Sequence, residues 1–188
     1  MPVSKKKILW FLIFVLLFLG GIAGGFFYFS GGLGPEHVAA PAQQEEKQGD
    51  DTSFIRVYYP SEGRLIMEER RVKRQVSPSA MAEEVVKEFL RGPSNMTKSA
   101  VPAGTKLLGI YPGNDGILYV DLSDEFRRNF QGDALTEFML LKGLYDSIIS
   151  NVTGVDDVKV IIEGKEMESV GGHFFALYPL KDALSGAR

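Results

Sequence analysis

The stretch Ser77–Pro93, SPSAMAEEVVKEFLRGP, decides the fold class. Ser77 followed by Pro78 has the form of a helix N-cap with proline at the first helical position. Met81, Val85 and Phe89, with Ala82, Val86 and Leu90 beside them, recur at helical spacing and make one apolar face. Gly92-Pro93 ends the pattern. Upstream lie two extended runs, Phe54–Tyr59 and Leu65–Val72, separated by Pro60-Ser61-Glu62-Gly63, which is the pattern of a hairpin. Downstream, Asn95–Thr105 is polar and broken by Pro102 and Gly104. Lys106–Tyr111 and Ile117–Leu122 then make a second strand pair, joined by Pro112-Gly113-Asn114-Asp115-Gly116, whose residues accept positive φ. Ser123–Phe130 reads as a short helical turn. Asp133 caps a long helix to near Asn151, with an apolar stripe of Leu135, Phe138, Met139, Leu141, Tyr145, Ile148, Ile149 and Val152. Val158–Ile162 is a buried-type strand, Gly164-Lys165 a turn, and Phe174–Leu177 a short closing strand. The order β-β-α-β-β-α-β with a closing strand predicts an α+β domain: a small mixed or antiparallel sheet with two helices packed on one face.

Ahead of this domain, residues 8–29 carry no charge. A helix of that length spans roughly 33 Å, enough for a bilayer core. Trp10 and Tyr28 stand near its two ends, where interfacial aromatics are favoured. Lys5, Lys6 and Lys7 precede the run, and no Lys or Arg follows it until Lys47. That asymmetry predicts a single-pass anchor in the cytoplasmic (inner) membrane, with residues 1–7 as a cytoplasmic basic tail and the domain outside. A cleaved signal peptide would have a shorter apolar core and small residues directly after it. The nearest such sites, Ala40 and Ala42, lie well past the run and flank Pro41. Both readings export the domain. Residues 30–53 are rich in Gly, Pro, Ala, Gln and acidic residues, and read as a flexible linker to a domain at 54–188. Gly20 and Gly24, like Gly21 and Gly25, have the spacing that lets two membrane helices pack closely.

The sequence has no cysteine, which excludes thiolate chemistry, thiolate metal sites and acylation of a cysteine within it. From Phe54 onward 17 basic residues face 19 acidic ones. That is no footprint for nucleic acid. Arg70, Arg71, Lys73 and Arg74 cluster after Glu68 and Glu69 and read as a solvated strand edge.

Candidate chemistry is sparse. His173, Ser123 and Asp121 supply the residue types of a base, a nucleophile and an orienting carboxylate. Nothing in the sequence brings them together, and no Gly-x-Ser-x-Gly elbow is present. Asp121 and Ser123 fit the end of a strand and a capped turn, and His173 after Gly171-Gly172 fits a turn in which it bonds backbone. Asp121, Asp124 and Glu125 raise the question of a paired-carboxylate glycosidase, but acidic residues at a strand-to-helix turn more often serve the helix N-terminus. The same cluster lacks calcium-loop spacing. No catalytic, cofactor-binding or metal-ligating residue is assigned, and no cofactor is expected.

Several segments resemble the GerMN domain, a family found in sporulation, spore-germination and other bacterial envelope proteins. They are Val57-Tyr58-Tyr59-Pro60 with Gly63–Leu65, Phe89-Leu90-Arg91-Gly92-Pro93, and Val101–Leu108 (VPAGTKLL). Next come Tyr119–Phe126 (YVDLSDEF), Val160–Gly164, Gly172-His173 and Pro179-Leu180. They run in family order across nearly all of Phe54–Leu180. The resemblance implies a fold like the ring-building modules of envelope assemblies, a role in binding or assembly, and no established catalytic residues. The family's namesake looks like a lipoprotein with two such domains in tandem, whereas here one domain follows an apolar run. The expected role is a non-enzymatic, membrane-tethered module for protein assembly or binding in sporulation or germination. Its expected partners are the membrane, envelope proteins or a second copy, and peptidoglycan. A peptidoglycan-active hydrolase and a ligand-binding sensor domain stand as alternatives.

Overall fold

The computed structural model describes residues 9–10, 13–20, 22, 26, 51–94 and 99–185. The chain divides into two units, residues 1–49 and 50–188. The expected membrane span, 8–29, is described at 9–10, 13–20, 22 and 26, all of them helical. The rest of that span lies outside the described residues, as do Gly21, Gly24 and Gly25 and the expected linker up to residue 50. Among the described residues no helix is long and apolar enough to cross a membrane.

The second unit opens with an antiparallel hairpin, β1 (Thr52–Ser61) and β2 (Arg64–Lys73). It starts two residues before the expected Phe54. The reason is the length of β2: Lys73 and Val72 give Thr52 and Ser53 ladder partners, and Thr52 Oγ1 accepts from Arg71 Nε at 2.9 Å. The turn is only Glu62-Gly63, both at positive φ (49° and 75°), as a two-residue hairpin of this hand requires. Pro60 and Ser61 therefore belong to β1, not to the turn.

Helix α1 (Pro78–Arg91) starts where the sequence places it. Ser77 Oγ accepts the Ala80 N–H at 3.1 Å, Pro78 leads the helix, and Gly92 ends it at φ 78°. Its buried face is Ala82, Val85, Val86 and Phe89. Strands β3 (Leu107–Pro112) and β4 (Ile117–Leu122) pair antiparallel, with a register shift between Leu107 and Gly109. A short helix α2 (Glu125–Arg128) and the long helix α3 (Ala134–Ile149) then cross over to β5 (Asp157–Ile162), which runs parallel to β4. The turn Glu163-Gly164 returns β6 (Lys165–Glu166), and α4 (Leu180–Ser185) closes the unit. Leu118, Val120 and Leu122 of β4 and Val158, Val160 and Ile162 of β5 are buried in alternation, so one face of this sheet carries the core. Helix α1 packs on β3 and α3; α3 packs on β1, β5 and α4.

The expected α+β class stands, with two differences. The strands form two sheets, β1-β2 and β3-β4-β5-β6, rather than one. The cause is what occupies the far edge of β1. In a two-residue hairpin the bonded cross-strand pairs alternate from Ser61–Arg64, so Tyr58 and Arg56 turn their backbone groups away from β2. Ser147 Oγ of α3 accepts the Tyr58 N–H at 2.9 Å. Just beyond the helix, Asn151 accepts the Arg56 N–H at 2.9 Å and donates to Arg56 O at 2.7 Å. Side chains thus take the bonds a neighbouring strand would take. Pro60 stands in the same outward phase, so its missing N–H breaks no ladder bond. Helix α3 can come this close because residue 143 is glycine: a Cβ there would lie 2.6 Å from Tyr58 O.

The second difference is the chain end. Phe174–Leu177 is not a strand; residues 167–179 run in bends and turns. Nor does α3 bury the full expected stripe. Its buried residues are Glu137, Leu140, Leu141, Gly143, Leu144, Ser147 and Ile148, while Leu135 is half exposed. The buried face includes a carboxylate, a glycine and a hydroxyl because the helix touches backbone there as well as core.

Gly143→Ala is expected to push α3 off β1 and cost about 1–3 kcal/mol, as overpacking of a tight contact does. Asn151→Ala, which strands one donor and one acceptor of Arg56 near solvent, is expected to cost about 1 kcal/mol. Urea unfolding of both variants checks this, with Gly143→Ala the larger loss.

Candidate functional site

Each residue singled out by sequence is already bonded, Asp121 and Ser123 to backbone and the others to side chains. Asp121, on β4, accepts the Gly164 N–H at 3.0 Å and so fixes the β5–β6 turn. It does not cap the turn after its own strand. Ser123 Oγ accepts the Lys106 N–H at 2.9 Å, while the Ser123 N–H donates to Lys106 O at 2.9 Å. This reciprocal pair closes the open end of the β3–β4 ladder. Asp124 and Glu125 flank the start of α2, and Arg128 reaches both, at 3.3 and 2.8 Å. The Ser123 hydroxyl, first, and α2 backbone hold the Glu125 carboxyl below its ordinary range. His173 bonds neither Asp121 nor Ser123, so the residues of the candidate triad serve three separate contacts. Among the described residues no group of three or more His, Asp or Glu side chains could hold a metal ion.

The basic cluster divides. Lys73 and Arg71 are exposed, as a strand edge requires. Arg70 is not solvated. Its guanidinium pairs with Glu68 at 2.6 Å, donates to Gly92 O at 3.0 Å and lies over the Tyr59 ring. Tyr59 stacks on Phe89 and donates its hydroxyl to Glu88 O at 2.7 Å. Burial pushes its phenol up to about 12. This group joins the hairpin to the C-terminal end of α1, where carbonyl oxygens favour a cation.

Glu137 is the polar residue that sequence reasoning missed. It sits in the first turns of α3 and is fully buried. Its carboxylate accepts the N–H groups of Val170 (2.8 Å) and His173 (2.9 Å), and the His173 ring nitrogen Nδ1 lies 3.1 Å away. Desolvation pushes its carboxyl upward, but the backbone donors of Gly171, His173 and Val170, with the His173 ring, outweigh it and hold the group below its ordinary value. Gly171 must be glycine for this: a Cβ would lie 2.5 Å from the Phe130 ring. The carboxylate therefore replaces a strand ladder as the partner of this segment's amides. His173 bonds a carboxylate, where sequence suggested backbone. The signal available was a glutamate four residues after an N-cap aspartate, which reads equally well as a solvated first-turn charge.

An open groove of about 740 Å³ runs between the hairpin tip at Glu62-Gly63, Ser99-Ala100 and the start of α3, where Leu135 and Met139 line it. The Asp133 carboxylate beside it is spent on the Thr136 N–H and hydroxyl. The segment pinned by Glu137 presents Phe175 and Tyr178 outward, ring centroids 5.9 Å apart.

Residues 56–168 match the sequence profile of the Germane family, described as sporulation and spore germination. Solved structures are similar too. A predicted lipoprotein from Clostridium perfringens is 20% identical, with a TM-score of 0.50 over 68% of this chain and 86% of that one. The tandem GerMN domains of the sporulation protein GerM from Bacillus subtilis are 18% identical, with a TM-score of 0.51 over 70% of this chain. This chain covers 47% of that tandem structure, about half its length. The first GerMN domain of the same protein gives a TM-score of 0.46 at 18% identity, over 64% of this chain and 90% of that one. No curated protein matches the chain.

Glu137 ties stability to acid. Its lowered carboxyl contributes stability that is full above the ordinary value of 4.5 and is lost as pH falls through the lower folded value. Glu137→Gln is expected to lose about 1–3 kcal/mol at pH 7, because an amide nitrogen then faces backbone donors. It should also flatten the acid limb of stability against pH, measured by denaturant unfolding between pH 3 and 7.

Proposed function

The chain belongs to the Germane family of sporulation and spore-germination domains, and from that membership we propose that it is a non-enzymatic, membrane-tethered envelope module that binds or assembles proteins. The observation that carries this reading is how the polar groups are spent. Asp121, Ser123 and Glu137 each hold backbone N–H groups, which supports a structural use of these side chains. The exposed features are apolar or aromatic and open to solvent, as a protein-contact surface is.

The tether rests on sequence. Residues 8–29 carry no charge, Lys5–Lys7 precede them, and no Lys or Arg follows until Lys47, which favours an N-terminus in the cytoplasm and a domain outside it. A family whose work is sporulation and germination acts at envelope layers, and a tethered domain meets partners there at high effective concentration.

Four measurements test this. Alkaline phosphatase fused after residue 50 is expected to be active in cells, and the intact chain to stay in the membrane fraction after alkaline washing. The purified full chain is expected to leave peptidoglycan fragments unchanged. In-cell crosslinking is expected to recover envelope proteins. Turnover of peptidoglycan fragments that disappears with Asp121→Asn, while thermal stability is kept, would overturn the reading.

A further inference from the structure

Strand β2 has one paired edge and one that no other described strand covers. The hairpin cannot grow at β1, whose far edge is taken by Ser147 and Asn151. On β2 the outward phase falls on Leu65, Met67, Glu69, Arg71 and Lys73, by the same alternation that turns Arg56 and Tyr58 outward on β1. None of these backbone groups is bonded to another described element. Ten residues of open edge invite pairing unless something discourages it.

We propose that β2 pairs antiparallel with β2 of a second copy, about a two-fold axis at Arg70, so that two hairpins become one four-stranded sheet. This names the partner within the assembly reading and rests on it. The argument for a second copy is charge order. The strand reads Glu68-Glu69-Arg70-Arg71, acid before base. An antiparallel copy reverses that order, so the strand is complementary to itself. Bonding allows only registers that set outward residues opposite outward residues. Centred on Arg70, each Glu69 faces Arg71 of the other copy, and each Met67 faces Lys73. One allowed step either way sets Glu69 against Glu69 or Arg71 against Arg71, which opposes like charges.

The remaining groups tolerate this register. Arg70 meets its own copy at the axis, but its guanidinium is held by Glu68, by Gly92 O and over the Tyr59 ring of its own chain. Arg71 is already positioned by Thr52 Oγ1 and lies over the Phe54 ring. On the same face Phe54 is 68% exposed and Met67 49% exposed. The joined sheet brings two such sets together. Edge charges of one sign would repel a copy; these attract it.

The test uses the full chain in detergent micelles, by sedimentation equilibrium. Glu69→Arg is expected to weaken dimerisation on the order of tenfold, with the circular dichroism spectrum unchanged because Glu69 is exposed in the single chain. Adding Arg71→Glu to it restores the charge pairs and is expected to restore the dimer. The chain has no cysteine of its own. Co-expressed Glu69→Cys and Arg71→Cys chains are therefore expected to give an oxidised heterodimer, since a bonded cross-strand pair lies about 5.5 Å apart between Cα atoms. A monomeric chain, a dimer indifferent to charge reversal, or capture of a different protein by Glu69→Cys would overturn the proposal. If in-cell crosslinking still recovers envelope proteins, only the edge pairing falls and the assembly reading stands; peptidoglycan turnover sinks the reading itself.

Discussion

Helix α3 lies against the backbone of β1, and the domain depends on that contact. Gly143 lets the helix approach Tyr58 O, Ser147 satisfies the Tyr58 N–H, and Asn151 satisfies both backbone groups of Arg56. Ser147 is itself anchored, donating to Gly143 O at 2.6 Å. A sheet edge that would otherwise need a strand or water is closed by one helix face. Because the edge is closed, the hairpin and the four-stranded sheet stay separate, and α3 has the hairpin as well as β5 and α1 to pack against.

That placement fixes where both ends of α3 arrive. At its start, Glu137 meets the amides of residues 170–173, and the long segment between β6 and α4 gains order without a ladder. Leu135, turned off the core, reaches the hairpin tip, where Gly63 lies close to it. The polar side chains of this domain are thus structural elements in their own right. What it presents outward includes an open groove, exposed rings and a strand edge.

The legible parts were local. Ser77 and Asp133 each cap a helix through a residue three positions on, so their roles follow from neighbours in sequence. The glycines and asparagine of the β3–β4 connection announce a turn by the same short-range logic. The candidate site was less legible. Asp121 and Ser123 were expected to end a strand and cap the turn after it, but Asp121 bonds residue 164 and the Ser123 hydroxyl bonds residue 106. Glu137 and Arg70 carried no signal that separates a buried or half-buried, paired charge from a solvated one. Phe174–Leu177 looked like a strand because aromatic and aliphatic content is all a sequence shows; whether a ladder partner exists is decided elsewhere.

The sequence by itself determined the two long helices, the first two hairpins, the α+β class and the family, because capping, periodicity and turn chemistry act over a few residues; the closing helix α4 was not anticipated. It also carried the charge order of β2 and the apolar run before the domain. Tertiary structure alone decided that the strands split into two sheets, that an asparagine and a serine close an edge, and that a glutamate replaces a ladder. Those outcomes rest on contacts between residues 33 to 95 positions apart. A buried polar group must be bonded by whatever the fold brings beside it, and no local pattern states what that will be.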